Sequence, residues 1–251
     1  MSTLTLTEAE AYESICWSAD VDSPEKLLAT VDRMPKLRVI KIDRQFVDDH
    51  GWEIFDELRD RDLKVFDDAK IIEIPVKLAG VAAVHVRKAR PWMLNCMAGG
   101  LSNRRWTKRE EKDELDGLKR FADVCHEAGV RPCGVTVLTS KDDDTVIAEF
   151  GRPSIDQVLF YVGMLNAAGF TDVVCSPNEV AAIRQELAFA ELDLNTPGIR
   201  PEGAANQDQA RVGTPKGTLA IGANRLVIGR PLTNGDPAEN LDNIVAEILA
   251  A

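Results

Sequence analysis

The sequence predicts an α/β fold, a single (β/α)8 TIM barrel over residues 1–251 with its active site at the C-terminal ends of the strands. Three observations predict it. Eight short apolar runs of strand character alternate with helical patterns along the chain. No Pro-, Gly- or Ser-rich linker divides them. A length of 251 residues with 45% hydrophobic content is enough for one large core. The competing arrangement, a doubly wound open sheet, lacks its mark, because no G-x-G-x-x-G follows the first strand.

The elements follow in order. Ser14 to Asp20 reads as strand one, and Ser23-Pro24-Glu25 opens a helix with an N-cap, a first-turn proline and an early acid. Leu37 to Ile42 is strand two, followed by a helix through Trp52, Phe55 and Leu58. Leu63 to Lys70 is strand three, and Ile74 to Val86 carries a helical period. Trp92 to Met97 is strand four. Thr107 to Ala128 is a long helix whose mixed charges mark a solvated face. Pro132 to Leu138 is strand five, and Ser154 to Ala168 the helix after it. Asp172 to Cys175 is strand six, with Asn178 expected to cap the next helix. Leu192 to Thr196 is strand seven and Arg225 to Ile228 strand eight. Asp236 caps a final helix that runs to the end.

The formal net charge of −11 excludes a nucleic-acid binder, which needs a basic face, so any anionic ligand must be met by locally placed cations. The five cysteines (Cys16, Cys96, Cys125, Cys133, Cys175) are scattered and odd in number, which argues for a reducing compartment rather than a disulfide framework. His50, His85 and His126 share no metal-ligand spacing, so no metal site is expected. The N-terminus carries no signal pattern and no apolar run reaches membrane-spanning length. The expected location is the cytoplasm.

Chemistry is expected where strand ends carry charge. The sharpest case is Val65 to Pro75, where an apolar strand closes in Asp68, Lys70 and Glu73. Alternation places Phe66, Asp68 and Lys70 on one face, with Glu73 just past the strand end. Burying such charges is costly unless they pair. Asp67 points to the opposite face, where a helix should cover it. Other strand ends add Asp20, Lys41, Thr139-Ser140, the run Thr196-Pro197-Gly198-Ile199-Arg200-Pro201, and Gly229-Arg230. Gly229 permits close backbone approach and Arg230 offers a donor fork, which suit an anion such as phosphate held after strands seven and eight. The polar stretch Glu202 to Gly213, longer than an ordinary connection, reads as a lid that would bring Gln209 to a ligand.

These segments resemble the orotidine 5'-phosphate decarboxylase family from about Ile15 to Leu249. The resemblance rests on Asp68-x-Lys70-x-x-Glu73-Ile74-Pro75, Gly134 to Ser140, Thr196 to Pro201, Asp208-Gln209-x-Arg211-Val212 and Val227 to Thr233. It implies decarboxylation of orotidine monophosphate to uridine monophosphate without metal or organic cofactor, in a homodimer. It implies that Lys70 protonates C6 of the pyrimidine and that Asp68 lies beside the substrate carboxylate. Asp20 and Lys41 would contact the ribose and extend the charge array. Glu73 would reach across the dimer interface into the partner's site. Thr139 would contact the pyrimidine, with Ser140 beside it. Arg200 and Pro201 would flank the lid, Gln209 would sit on it, and Gly229 and Arg230 would grip the phosphate.

The chain departs from the family's pattern in places. Glu73 stands for the usual aspartate, and Val76-Lys77 stands for Asn-Thr after Pro75. Asp67 replaces an apolar residue, and strand four (Asn95 to Gly100) lacks the histidine often found there. Two other readings fit these departures. One is a metal-dependent sugar-phosphate decarboxylase or aldolase of the same superfamily, with Asp43 as its extra acid. The other is a nucleotide-binding relic without turnover.

Overall fold

The structure, a computed structural model, describes residues 6–99, 106–201 and 212–250. Eight parallel strands close into a barrel in chain order, each paired with its sequence neighbours and the last with the first. They are β1 (Ile15–Ala19), β2 (Val39–Asp43), β3 (Lys64–Ile71), β4 (Met93–Met97), β5 (Arg131–Val135), β6 (Asp172–Val174), β7 (Asp193–Thr196) and β8 (Arg225–Ile228). Around them lie α1 (Glu8–Glu13), α2 (Pro24–Asp32), α3 (Arg44–His50), α4 (Ile54–Arg59), α5 (Pro75–Ala89), α6 (Lys108–Glu127), α7 (Asp143–Phe150), α8 (Ser154–Ala167), α9 (Pro177–Gln185), α10 (Pro215–Ala220), α11 (Arg230–Thr233) and α12 (Pro237–Leu249).

Alternation along the strands builds two cores. Outward residues such as Trp17, Ile40, Ile42, Leu94 and Leu194 are buried beneath the helices. Inward residues Cys16, Val39, Phe66, Met93, Cys133 and Val227 meet inside the barrel and form the floor on which the open end rests. All five cysteines are free and buried, and burial pushes the Cys16 and Cys125 thiols up to about 12, so they pack as small apolar groups.

Local chemistry sets the helix boundaries. Ser23 and Asp236 cap α2 and α12 as the sequence predicts, and Thr107, expected as the first residue of its helix, caps α6. The helix expected through Trp52 is instead two, because Gly51 leaves α3 at φ +89° and the chain restarts at Ile54. The cap of α9 is Ser176, not Asn178; its backbone N–H donates to Glu179 at 2.5 Å in a capping box, and Pro177 takes the first helical position. Strand five stops at Val135, three residues short of the expected Leu138.

The end of the barrel away from the strand C-termini is closed by a buried ion network. Asp172, wholly buried at the start of β6, accepts from Arg131 at 2.7 Å and from Asn195 at 3.0 Å and lies 3.5 Å from Arg225. Arg131 also reaches Asp193 at 2.7 Å, and both guanidiniums stack on Trp92. Asp172→Ala would leave Arg131 with Asp193 alone and Arg225 with no carboxylate beside it, so it should cost about 3 kcal/mol. A thermal melt should show Tm lower by about 10 °C.

Candidate active site

The open end of the barrel holds a cavity of about 330 Å³. Asp20, Lys41, Asp68, Lys70, Thr139, Arg200, Gly229 and Arg230, all singled out from the sequence, line its wall. So do Ser18, Phe66, Val135, Val137, Leu138, Val174, Pro197, Gly198 and Val227, which that reading did not propose as ligand contacts. Apolar walls with a few convergent polar groups are the usual make-up of a small-molecule site.

Strand β3 delivers the central charges. Asp68 is 5% exposed and every oxygen of it is engaged. Its Oδ2 accepts from the Lys41 ammonium and, at 2.7 Å, from Lys70 Nζ. Its Oδ1 accepts from Asn95 Nδ2 at 2.6 Å. Burial works to raise the Asp68 carboxyl, but Lys41 and Lys70 outweigh it and hold it below the usual carboxylate range. For Lys41, burial acts to lower the ammonium and Asp68 outweighs it, so the net direction is up. The order Asp68, Lys70, Glu73 suggests one ammonium between two carboxylates; within this chain one carboxylate sits between two ammoniums.

A bulge aims these groups. The β3–β4 register shifts between Asp67 and Ile71, and Lys70 takes φ +43°, a left-handed conformation uncommon for a side-chain-bearing residue. Asn95 on β4 stabilises it, since its Oδ1 accepts the Lys70 backbone N–H at 2.6 Å while its Nδ2 holds Asp68. One buried amide thus fixes both members of the pair. In the sequence Asn95 stands out only for the histidine missing near it.

The opposite wall is built after β7 and β8. Gly198 sits at φ +80°, where a Cβ would be strained, and turns Arg200 into the cavity. Arg200 is 9% exposed and donates from Nη1 to the Ile199 carbonyl at 2.9 Å. Its N–H donates to the Gly213 carbonyl at 2.9 Å, and Gly213 N–H returns to Gly198 at 3.1 Å, so the chain on either side of residues 202–211 is pinned together. A Cβ on Gly229 would meet Ser18 O at an ordinary 3.6 Å. No neighbour therefore forbids a Cβ there, and what glycine keeps open is the cavity.

Three residues singled out from the sequence do not join the cavity wall. Ser140 is exposed, and neither it nor Pro201 lines the cavity. Strand β5 ends early, which carries Ser140 past the rim. Glu73 is also outside; its Oε1 accepts the neighbouring Ile74 N–H at 2.8 Å. Gln209 lies outside the described residues, as does most of the expected lid. Asp43, the acid considered for a metal, caps α3 by accepting the Phe46 N–H at 2.9 Å.

The model of the orotidine 5'-phosphate decarboxylase / HUMPS family matches residues 13–244. The chain belongs to that family. Among curated relatives, the orotidine 5'-phosphate decarboxylase of Thermosynechococcus vestitus is 32% identical over 97% of this chain and 99% of its own length. That of Halorhodospira halophila is 36% identical over 90% and 91%. Among solved structures, the orotidine 5'-phosphate decarboxylase of Lactobacillus acidophilus superposes with a TM-score of 0.72 at 24% identity, covering 94% of this chain and 99% of that one. The enzyme of Methanocaldococcus jannaschii, complexed with inhibitor BMP, gives 0.70 at 18% over 95% and 99%. At such identities the structural likeness speaks for the barrel, and the sequence relatives speak for the family.

The charge array makes a pH prediction. Asp68, depressed in the folded state, stabilises the fold above its unfolded value of about 3.9, and that contribution is lost as pH falls through the folded value. Lys41, raised in the folded state, stabilises below its unfolded value of about 10.4, and that contribution is lost as pH rises through the folded value. Between these limits the pair should add no slope to Tm against pH, and Asp68→Asn should shallow the acid limb.

Proposed function

We propose that this chain decarboxylates orotidine 5'-monophosphate to uridine 5'-monophosphate in pyrimidine synthesis, as one barrel domain working in the cytoplasm. The observation that carries the reading is the Lys41–Asp68–Lys70 array on one wall of a cavity whose opposite wall presents Gly229 and Arg230. The family's sequence relatives bear the same activity in their names. Among the described residues, no helix is long and apolar enough to cross a membrane.

The chemistry follows from the charges. Losing carbon dioxide leaves an electron pair on C6 of the pyrimidine. The Lys70 ammonium, fixed by Asp68 and by the Asn95 bond to its backbone, stabilises that charge and then supplies the proton. Asp68 places an anion beside the departing carboxylate. Asp20 and Lys41 meet the ribose and Thr139 the pyrimidine. Arg230, Gly229 and Arg200, with Gln209 from the expected lid, hold the phosphate end, and this remote binding energy aligns the ring over Lys70.

The working unit is a homodimer with Glu73 contributed across the interface. Glu73 is flanked by exposed apolar side chains: Ile72 46%, Ile74 44% and Val76 75%, continued by Val84 at 37%. Large apolar groups so clustered favour a partner surface, and a second copy would place Glu73 at a neighbouring mouth.

An absorbance assay with orotidine monophosphate, with and without chelator, tests the function. Chelator-resistant decay supports it. Turnover of a sugar phosphate that depends on added metal, or tight nucleotide binding without decay, would replace it with one of the two other readings. Arg230→Ala should raise KM by about 10–100-fold, the loss of a charge-assisted contact worth about 1.5–3 kcal/mol, with a smaller effect on kcat. Steady-state kinetics with orotidine monophosphate checks it.

A further inference from the structure

Directly behind the charge array is a buried pair that the chemistry above does not use. Asp67, adjacent to Asp68 but facing outward from the barrel, is wholly buried under α5. Its Oδ2 lies 2.7 Å from His85 Nδ1, and its Oδ1 has no hydrogen-bond partner. The His85 ring stands edge-on to Trp52 at 5.0 Å, and the Lys88 ammonium lies over that indole, 5.8 Å from the ring centroid. A carboxylate with half its hydrogen-bonding capacity unmet is an expensive way to pack a helix on a strand, where an apolar side chain would serve. Burial accordingly drives the Asp67 carboxyl upward, against the pull of His85 and together with the repulsion of Asp68.

The location of the pair tells what it does. Asp67 is the last residue of β3 held on both sides, opposite Ile42 of β2 and Leu94 of β4. Asp68 keeps its β2 partner, Asp43, but the β4 ladder does not resume until Ile71 meets Cys96. The bulge that aims Asp68 and Lys70 therefore begins at Asp67. A side-chain anchor there fixes the strand's direction at the point where the ladder lets go. His85 sits on α5, whose first turn follows Glu73 by two residues, so the same anchor sets that helix against the strand.

We infer that Asp67 and His85 are positioning residues, a buried clamp that holds the start of the β3 bulge so that Asp68 and Lys70 keep their catalytic placement. The inference rests on the decarboxylase reading for its kinetic consequence and on geometry for the rest. A displacement of about 1 Å at a reacting group costs about a hundredfold in rate.

The test uses the full chain. Asp67→Leu should lower kcat for orotidine monophosphate by about 10–100-fold, measured well below the variant's own Tm, with KM and uridine monophosphate affinity within about threefold. Asp67→Asn, which still offers His85 an acceptor oxygen, should recover most of kcat. Where Asp67→Leu does not fold, His85→Phe keeps a ring against Trp52, removes the hydrogen bond, and should show the same split. Crystal structures of wild type and variant give a readout independent of turnover: the Asp68–Lys70 contact of 2.7 Å should lengthen or swing away. A variant with lowered Tm, wild-type kcat and an unmoved contact would overturn the clamp. A wild-type chain without decarboxylation would overturn the activity instead, and the crystallographic comparison would still decide the clamp.

Discussion

Lys70→Ala is expected to lose at least about 10⁴-fold in kcat while uridine monophosphate still binds within a few-fold of wild type. Proton delivery by a positioned acid contributes about 10²–10⁴-fold, and fixed charge facing the developing anion about 10²–10³-fold. One ammonium supplies both, so both disappear together. The fold should survive the change, because Asp68 keeps Lys41 and the Asn95 amide as partners and the Lys70 side chain is half-exposed. Nucleotide binding should survive because the phosphate contacts proposed at Gly229 and Arg230 lie across the cavity. Lys70→Arg is the companion variant. It restores a cation near Asp68 but not a proton donor, since a guanidinium does not give up its proton at working pH. A kcat for Lys70→Arg above that of Lys70→Ala but far below wild type separates the role of the charge from that of the proton. Near-normal turnover in Lys70→Ala, by loss of orotidine monophosphate absorbance, would remove Lys70 from the mechanism.

The barrel was legible because its signal is redundant. A run such as Val39 to Ile42 has the length and branching of a buried strand wherever its ends are drawn, and eight such runs in alternation leave few topologies. The short helices were not legible. Helices α10 and α11 have 6 and 4 residues, too few for a helical period to stand out. The signal at Gly51 was outweighed by the apolar pattern through Trp52, Phe55 and Leu58, and at α9 Asn178 competed as a cap with Ser176, which Pro177 at the first helical position favours.

The charge array was half legible, for a geometric reason. Alternation along β3 sends Phe66, Asp68 and Lys70 into the cavity, and that much follows from spacing alone. Which charges then touch depends on register between strands. Lys41 reaches Asp68 because β2 ends beside it, and Asn95 reaches both Asp68 and Lys70 because the bulge brings them over β4. Neither relation is written in local sequence. The same logic explains Glu73. It is three residues from Lys70 along the chain, yet the turn before Pro75 leaves it half-buried and off the cavity wall, between the exposed Ile72 and Ile74. Proximity in sequence suggests an acid on each side of one lysine, but within one chain Glu73 does not line the cavity that holds Lys70.

Mixing two inactive variants tests whether Glu73 serves the partner's site. Glu73→Ala is expected to lose about a hundredfold or more in kcat, as a misplaced or missing charge at a reacting centre does. In a dimer with shared sites, Lys70→Ala and Glu73→Ala subunits should complement. Each mixed dimer carries one site with both lesions and one site with neither. With equal amounts and free exchange, half the dimers are mixed, so activity should rise to about a quarter of wild type. Subunit exchange is obtained by diluting the two variants below the dimer dissociation range, mixing, and reconcentrating, with the unmixed variants taken through the same steps. The exposed apolar run from Ile72 to Val76 gives the control. Val76→Asp places a charge at the most exposed of these side chains and should abolish both dimerisation and complementation without unfolding the barrel. Complementation that fails while dimers still form would confine Glu73 to a role outside the partner's site. The turn before Pro75 would then serve only to seat α5, and the chemistry would rest on the single carboxylate and two ammoniums of one chain.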